Sequence, residues 1–137
     1  MVVGSRIRRL GSRVTRSTKR HVLGRIFANV TALLLGIHVY DTQCGAKLFT
    51  SDLAAKIFKD SFLSKWFFDV ELFARTIGNY GRADSLRRIY ELPLSEWHNQ
   101  GDSKLTIQHY FNCPLDLMRI IRAYHDVLSL PNFTRRR

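Results

Sequence analysis

The pattern of apolar and polar positions along the chain predicts a few strands and about four helices. Met1-Val2-Val3-Gly4 is a short β-type run, and residues 7–16, rich in Arg, Gly, Ser and Thr, read as a loop. Ser17 or Thr18 can cap a helix. Leu23, Ile26, Phe27, Val30, Leu33, Leu34 and Ile37 then recur at three- and four-residue spacing and form one apolar stripe. At about 100° per residue, Arg20 falls near the edge of that stripe, towards the protein, and Arg25 falls on the solvent side.

After Gly36 the segment Asp41-Thr42-Gln43-Cys44-Gly45-Ala46-Lys47-Leu48-Phe49 sets polar and small residues between apolar flanks. Ser51 or Asp52 opens a second helix to about Phe58. Trp66-Phe67-Phe68 leads into a third helix, Asp69 to Ile77, with Val70, Phe73, Ala74 and Ile77 on one face and Gly78 and Gly81 ending it. Arg87 to Trp97 is strand-like, with Tyr90, Leu92 and Leu94 on one side and Pro93 marking an edge or a bulge. His98 to Lys104 is a polar loop. A last helix is expected from Pro114 to Leu128, its apolar set being Leu117, Met118, Ile121, Tyr124 and Leu128. The expected body is residues 1–128, and residues 129–137 are a basic tail expected to be disordered.

Charge changes this picture because it is unevenly placed. The 137 residues carry a formal net charge of +11. The first 25 residues contribute +8 without a single acid, Arg135 to Arg137 contribute +3, and the rest nets to zero. A neutral body with basic ends points to an anionic partner: nucleic acid, a phospholipid surface or a phosphorylated small molecule. Lys19, Arg20 and His21 fall in the first turn of a helix, where the dipole already disfavours cations. They fit an anion bound there, or simply an exposed turn. Two cysteines, Cys44 and Cys113, make no disulfide framework and no zinc-ligand spacing. The longest nearly apolar run, residues 26–37, falls short of the roughly 18–20 residues that span a bilayer.

The acids that invite a chemical reading are Asp41, Asp69 and Glu71. Asp69 also fits a helix N-cap. Asp69 and Glu71, two apart on a helix, point different ways and are not a metal pair. No DxD, HExxH, Walker A or GxGxxG pattern occurs. Gly101-Asp102-Ser103-Lys104 is a loop whose backbone, hydroxyl and ammonium groups could meet a phosphate, and an ordinary surface turn would look the same.

Taken together these segments are more specific. Val2 to Arg6, Arg20 to Phe27, the run DTQCGAKLF at 41–49, FDVEL at 68–72, and Glu91 to Lys104 with Pro93, Trp97 and GDSK occur in an order and spacing that resembles family 2 glycosyltransferases acting on polyprenyl phosphate. The likeness is to their dolichyl-phosphate glucosyltransferase branch and its bacterial relatives, over roughly residues 2–122. It implies an α/β fold that is the C-terminal portion of a GT-A domain, with the nucleotide-binding half absent from this sequence.

The resemblance further implies transfer of a sugar from a nucleotide donor to a lipid phosphate, with a divalent metal (Mg or Mn) whose ligands this sequence lacks. Arg6 and Arg20 match positions that grip the acceptor phosphate, a task suited to the paired donors of a guanidinium. Gln43, Ser103 and Lys104 match donor-binding positions, and Asp41 and Asp69 match positions near the reacting centre. Ala46 departs from the family, which typically has Phe there. The implied setting is the cytoplasmic face of a membrane, with peripheral attachment, no transmembrane segment in this chain, and a complementing N-terminal polypeptide as partner. A chain without the metal and nucleotide ligands is expected to be inactive alone. The alternatives are a small nucleic-acid-binding protein or a non-catalytic membrane-binding module. Nucleic acid fits less well, because the aromatic residues are not interleaved with the basic ones as stacking platforms require.

Overall fold

The protein is described here from a computed structural model. It describes the backbone of residues 1–15, 18–98 and 107–128, and the side chains in those ranges except at 18–24, 27, 107–113 and 128. The elements run β1 (Val2–Ser5), β2 (Arg13–Val14), α1 (Thr18–Leu35), β3 (Lys47–Leu48), α2 (Ser51–Ile57), α3 (Phe68–Tyr80), α4 (Arg82–Arg88), β4 (Tyr90–Pro93), β5 (Glu96–Trp97), α5 (Ile107–Ala123) and α6 (His125–Leu128). The α/β class expected from the sequence holds, with six helices among the described residues in place of about four.

β1 is the centre of a three-stranded sheet, antiparallel to β3 and parallel to β4. Val2 lies opposite both Leu48 and Tyr90, and Val3 opposite both Lys47 and Glu91. Directly opposed residues share a face and neighbours alternate. Val3, Ser5, Lys47 and Glu91 therefore form an inner face, and Val2, Gly4, Leu48, Tyr90 and Leu92 an outer one. Gly4 is needed where the chain turns back over β1. Its N–H donates to the carbonyl of Ala46 at 2.7 Å, and a Cβ there would press on Ala46 and on Cys44 Sγ.

The inner face meets the main core, where Val3, Leu35, Ile37, Phe67, Val70, Phe73, Ala74, Ile77 and Ile120 pack together. The apolar face expected for the third helix, Val70, Phe73, Ala74 and Ile77, is thus its buried face. That helix continues past Gly78 and stops at Gly81, whose φ of 75° ends it. Leu53, Ile57 and Leu72 form a smaller cluster between α2 and α3. Thr50 caps α2 by accepting from the Leu53 N–H, and the helix opens at Ser51 as expected.

Several expectations are corrected. The stripe assigned to the first helix holds only in part: Ile26, Val30 and Leu33 are exposed, while Ala28, Thr31 and Leu35 are buried almost opposite; Ile37 of the stripe is buried, and the side chains of Leu23 and Phe27 lie outside the described set. This helix is apolar around most of its later turns, so periodicity alone does not select the face that packs. Arg25 does not stand free in solvent. Its guanidinium lies 3.9 Å from the centre of the Tyr40 ring and donates to the Tyr40 carbonyl at 3.1 Å. Arg87 and Arg88 end a helix, α4, where a strand was expected. The remaining strand breaks after Pro93 into β4, an edge of its sheet, and β5, which pairs in parallel with β2 inside the expected loop 7–16. The helix expected from Pro114 to Leu128 is two, α5 and α6, parted at Tyr124; α5 starts at Ile107 and carries Pro114 inside it at an exposed position, with one backbone bond lost. Its buried anchor is Ile120, and Met118 is exposed. The expected tail lies outside the described residues.

Candidate functional site

Four segments converge at the C-terminal end of β1. Arg6 follows that strand directly, and its guanidinium forks onto Asp41, with Nε to Oδ2 at 2.6 Å and Nη2 to Oδ1 at 2.8 Å. The Arg6 backbone N–H adds a third contact, to Asp41 Oδ2 at 3.2 Å. A planar fork on a carboxylate is the most directional ion pair that side chains make. Arg6 also faces the Trp97 ring, 5.5 Å from its centre.

Asp41 is held in turn from β4. The two oxygens of Glu91 accept from the backbone N–H groups of Tyr40 and Asp41, each at 2.9 Å. On the other side of β1, Lys47 Nζ donates to Asp69 Oδ1 at 2.6 Å and to the Cys44 carbonyl at 2.6 Å. The Lys47 and Asp69 side chains are only 4% and 10% exposed. Two buried ion pairs therefore stand on either side of the turn 41–47, whose thiol, Cys44, is fully buried.

The local electrostatics follow from burial. Burial raises the Asp69 carboxyl above the usual carboxylate value, and the nearby Lys47 and Arg6 cations only partly offset this. Burial also pushes the Cys44 thiol up, against weaker opposing effects from the Ala46 backbone and Arg6. For Arg6, burial works against the charge, but the hydrogen bonds and charge of Asp41 win and hold the guanidinium more firmly protonated. Ser5 Oγ and Thr42 Oγ1 are buried with no hydrogen-bond partner. They flank Arg6 and Asp41 in the chain, and each such orphan ordinarily costs about 1–3 kcal/mol.

Of the residues singled out from sequence, the fold brings Arg6, Asp41 and Asp69 into one neighbourhood, with Gln43 half-buried in the same turn. Arg6 and Asp41, expected in separate roles, are partners of each other. Asp69 is no N-cap: it lies one residue inside α3, and its carboxylate is engaged by Lys47. Arg20 falls in the first turn of α1, with its side chain outside the described set. Ser103 and Lys104 lie outside the described residues. Sequence reasoning missed the roles of Lys47 and Glu91. Their signal was the two-residue strand period, which sets both beside buried Val3.

A second polar cluster lies apart from this one. Buried Glu71 accepts from Arg75 and Tyr124 at 2.8 Å each and from the Leu63 N–H at 2.9 Å. Arg75 also donates to the carbonyls of Ile57, Asp60 and Ser61. A cavity of about 450 Å³ opens beside this cluster. Its arginine and carboxylate are already engaged with each other, as befits a structural tie. Glu71 and Asp69 do point apart, as their spacing requires.

Among the described residues no three His, Cys, Asp or Glu side chains gather as a cation site. Asp41 and Asp69 are committed to Arg6 and Lys47, so the described donors do not fit a divalent metal. No described helix is long and apolar enough to cross a membrane.

In sequence the chain is similar to part of several dolichyl-phosphate β-glucosyltransferases. It is 34% identical over 122 residues to the dolichyl-phosphate β-glucosyltransferase ALG5C of Trichomonas vaginalis, covering 88% of this chain and 34% of that protein. It is 32% identical over 126 residues to ALG5D of the same organism, covering 90% and 36%. The Drosophila melanogaster dolichyl-phosphate β-glucosyltransferase is 38% identical over 96 residues, covering 67% and 26%. The chain is thus a homologue of part of the dolichyl-phosphate β-glucosyltransferases, as its motifs implied. It spans about a third of the length of the Trichomonas relatives it matches. No family model and no solved structure matches it.

Proposed function

We propose that this chain is the acceptor-side portion of a family 2, GT-A-type glycosyltransferase whose complete form moves a sugar from a nucleotide donor to a dolichyl-type phosphate. The observation that carries the reading is the homology: relatives with this printed activity match nearly the whole chain. The α/β sheet with a charged cluster at the end of its central strand is compatible with it, since ligands in such sheets collect at strand C-termini.

The chemistry asks little of a general base. A phosphate monoester has a second pKa of about 6, so the acceptor is largely dianionic near neutral pH. One of its oxygens bonds to the anomeric carbon as the bond from that carbon to the donor diphosphate breaks, and the diphosphate leaves with the electron pair. What the protein must supply is orientation and positive charge between two anions. Arg6 is the described cation best placed for this, with Arg20 as its proposed companion and Gln43, Ser103 and Lys104 on the donor side. In this reading Asp41 and Asp69 serve by fixing Arg6 and Lys47. An arriving phosphate would share or take over the fork that Arg6 now makes to Asp41. The implied Mg or Mn and the nucleotide would be held by residues of the complementing polypeptide.

Peripheral attachment at the cytoplasmic face of a membrane belongs to the same reading. It is supported by the basic N-terminal segment and by exposed Ile26, Val30 and Leu33 along α1. Sedimentation with vesicles should show binding that needs anionic lipid and weakens with salt. Equal binding to neutral vesicles would contradict it.

The decisive assay is transfer of labelled glucose from its nucleotide to dolichyl phosphate. The purified chain alone should give none, and the chain combined with the missing two thirds of a relative should give product. Turnover by the 137-residue chain by itself would sink the proposal.

A further inference from the structure

Arg25 stands on α1, where the apolar pattern sends it to solvent, yet the fold draws it towards the segment that carries Asp41. Its guanidinium lies 3.9 Å from the centre of the Tyr40 ring. From there Nη1 donates to the Tyr40 carbonyl at 3.1 Å, and Nη2 donates to Asn29 Oδ1 at 3.4 Å. A cation on an aromatic ring that also donates to that residue's own carbonyl fixes side chain and main chain together. The carbonyl it holds belongs to the peptide unit between Tyr40 and Asp41. The N–H of that same unit donates to Glu91 Oε1 at 2.9 Å. One planar unit is therefore gripped at both ends, from α1 by Arg25 and from β4 by Glu91. Rotation of that plane is what would swing Asp41 off its fork to Arg6.

We propose that Arg25 is a positioning residue for the anion site: it ties the Tyr40–Asp41 peptide, and through it the Arg6–Asp41 pair, to the first half of α1. The two arginines assigned to the acceptor phosphate come from different elements, Arg6 from the end of β1 and Arg20 from α1. One phosphate can engage both only while those elements keep one spacing, and an arginine clamp depends on such geometry. The main core holds the far end of α1, at Leu35. Arg25 holds the nearer half, five residues and about 7.5 Å along the axis from Arg20. It acts without touching the phosphate, because its guanidinium is committed to Tyr40 and Asn29. The proposal rests on the functional reading above and adds to it a residue that reading does not use.

The test titrates the 137-residue chain with citronellyl phosphate, a short isoprenoid phosphate monoester, and separately with inorganic phosphate. Binding is followed by NMR together with the Arg6 Nε–H signal, which a 2.6 Å bond to Asp41 should place well downfield. Far-UV circular dichroism checks that each variant is folded. Arg25→Ala should raise the dissociation constants for both probes about three- to tenfold and shift or broaden the Arg6 signal. Arg25→Lys, which keeps a cation for the ring and a donor for the carbonyl, should stay within about twofold of the unchanged chain. Should Arg25→Ala fail to fold, Tyr40→Leu removes the ring in its place, with the same loss expected. Arg25→Ala combined with Glu91→Gln should lose less than the two losses together, since both residues grip one peptide plane. A variant that is merely less stable, with its affinity and Arg6 signal unchanged, overturns the proposal. So does a lysine variant as weak as the alanine one. Full additivity with Glu91→Gln also overturns it, by putting Arg25 on the phosphate itself, and a loss confined to citronellyl phosphate does so by putting Arg25 on the isoprenoid chain. If the unchanged chain binds neither probe, the functional reading fails, and the tie to Asp41 still stands or falls on the Arg6 signal in Arg25→Ala.

Discussion

Glu91 offers the sharpest test of how the site is held. Its carboxylate accepts from two consecutive backbone N–H groups, Tyr40 and Asp41, each at 2.9 Å, and so aims Asp41 at Arg6. Hydrogen bonds to a charged group are worth about 1.5–3 kcal/mol net. The two share one carboxylate and do not simply add, so Glu91→Ala should cost about 2–4 kcal/mol. With a urea slope of about 2 kcal/mol per molar, the unfolding midpoint should fall by about 1–2 M. Glu91→Gln keeps the size and one acceptor oxygen but gives up the charge, and about half that loss is expected. The damage should be local as well as global. In the alanine variant the amides of Tyr40 and Asp41 should lose hydrogen-exchange protection beyond what the drop in global stability explains. An alanine variant with an unchanged midpoint would refute the argument. So would a glutamine variant as damaged as the alanine one, because charge would then not be what the two donors require.

Three further outcomes follow from the same reasoning. Burial raises the folded Asp69 pKa above its ordinary 3.8, so its contribution is fullest below that value and is lost as pH rises through the folded pKa. Urea midpoints between pH 3 and 7 should show the unchanged chain losing ground to Asp69→Asn as pH rises, and the opposite trend would mean that Lys47 dominates. Tyr124→Phe removes a hydroxyl that accepts from Arg75 at 3.0 Å and donates to Glu71 at 2.8 Å; a loss of about 1–3 kcal/mol in urea is expected, and no loss would show that Arg75 alone satisfies Glu71. Gly36 has φ of 60°, and a Cβ there would collide with the Arg82 guanidinium, so Gly36→Ala should lower the melting temperature by about 5–10 °C, whereas Gly45→Ala, open on all sides, should leave it nearly unchanged.

What could be read from the sequence depended on whether local chemistry or tertiary packing decided the outcome. The third helix was legible because Val70, Phe73, Ala74 and Ile77 fall together on one face, the face buried in the main core, although Leu72 is buried on its far side against α2. The first helix was misread because apolar residues encircle its later turns, and only packing against Val3, Phe67 and Phe73 chose Leu35 over Leu33. The strand at 87–97 failed for a similar reason. Arg87 and Arg88 are as compatible with a helix end as with a strand, and cations at a helix C-terminus are favourable there. The motifs named Arg6, Asp41 and Asp69, which the fold brings into one neighbourhood, but not their pairings. That Arg6 would reach Asp41, 35 positions away, depends on a sheet register that no local pattern encodes.

That register binds the site to the core more tightly than the short strands imply. β1 joins residues 2–5 to residues 90–93 in parallel, which brings together segments nearly the whole body apart. The N-terminus reinforces it: the Met1 amine donates to the Arg88 carbonyl at 2.8 Å, and the Met1 carbonyl accepts from Tyr90 at 3.0 Å. A slip of one residue between β1 and β4 would turn Glu91 to the outer face and leave the Tyr40 and Asp41 amides without their acceptor. The same slip would bring Tyr90 or Leu92 inward against Val3, where the volume is already filled. Core packing therefore enforces the register, and the register aims the carboxylate that positions Asp41 on Arg6.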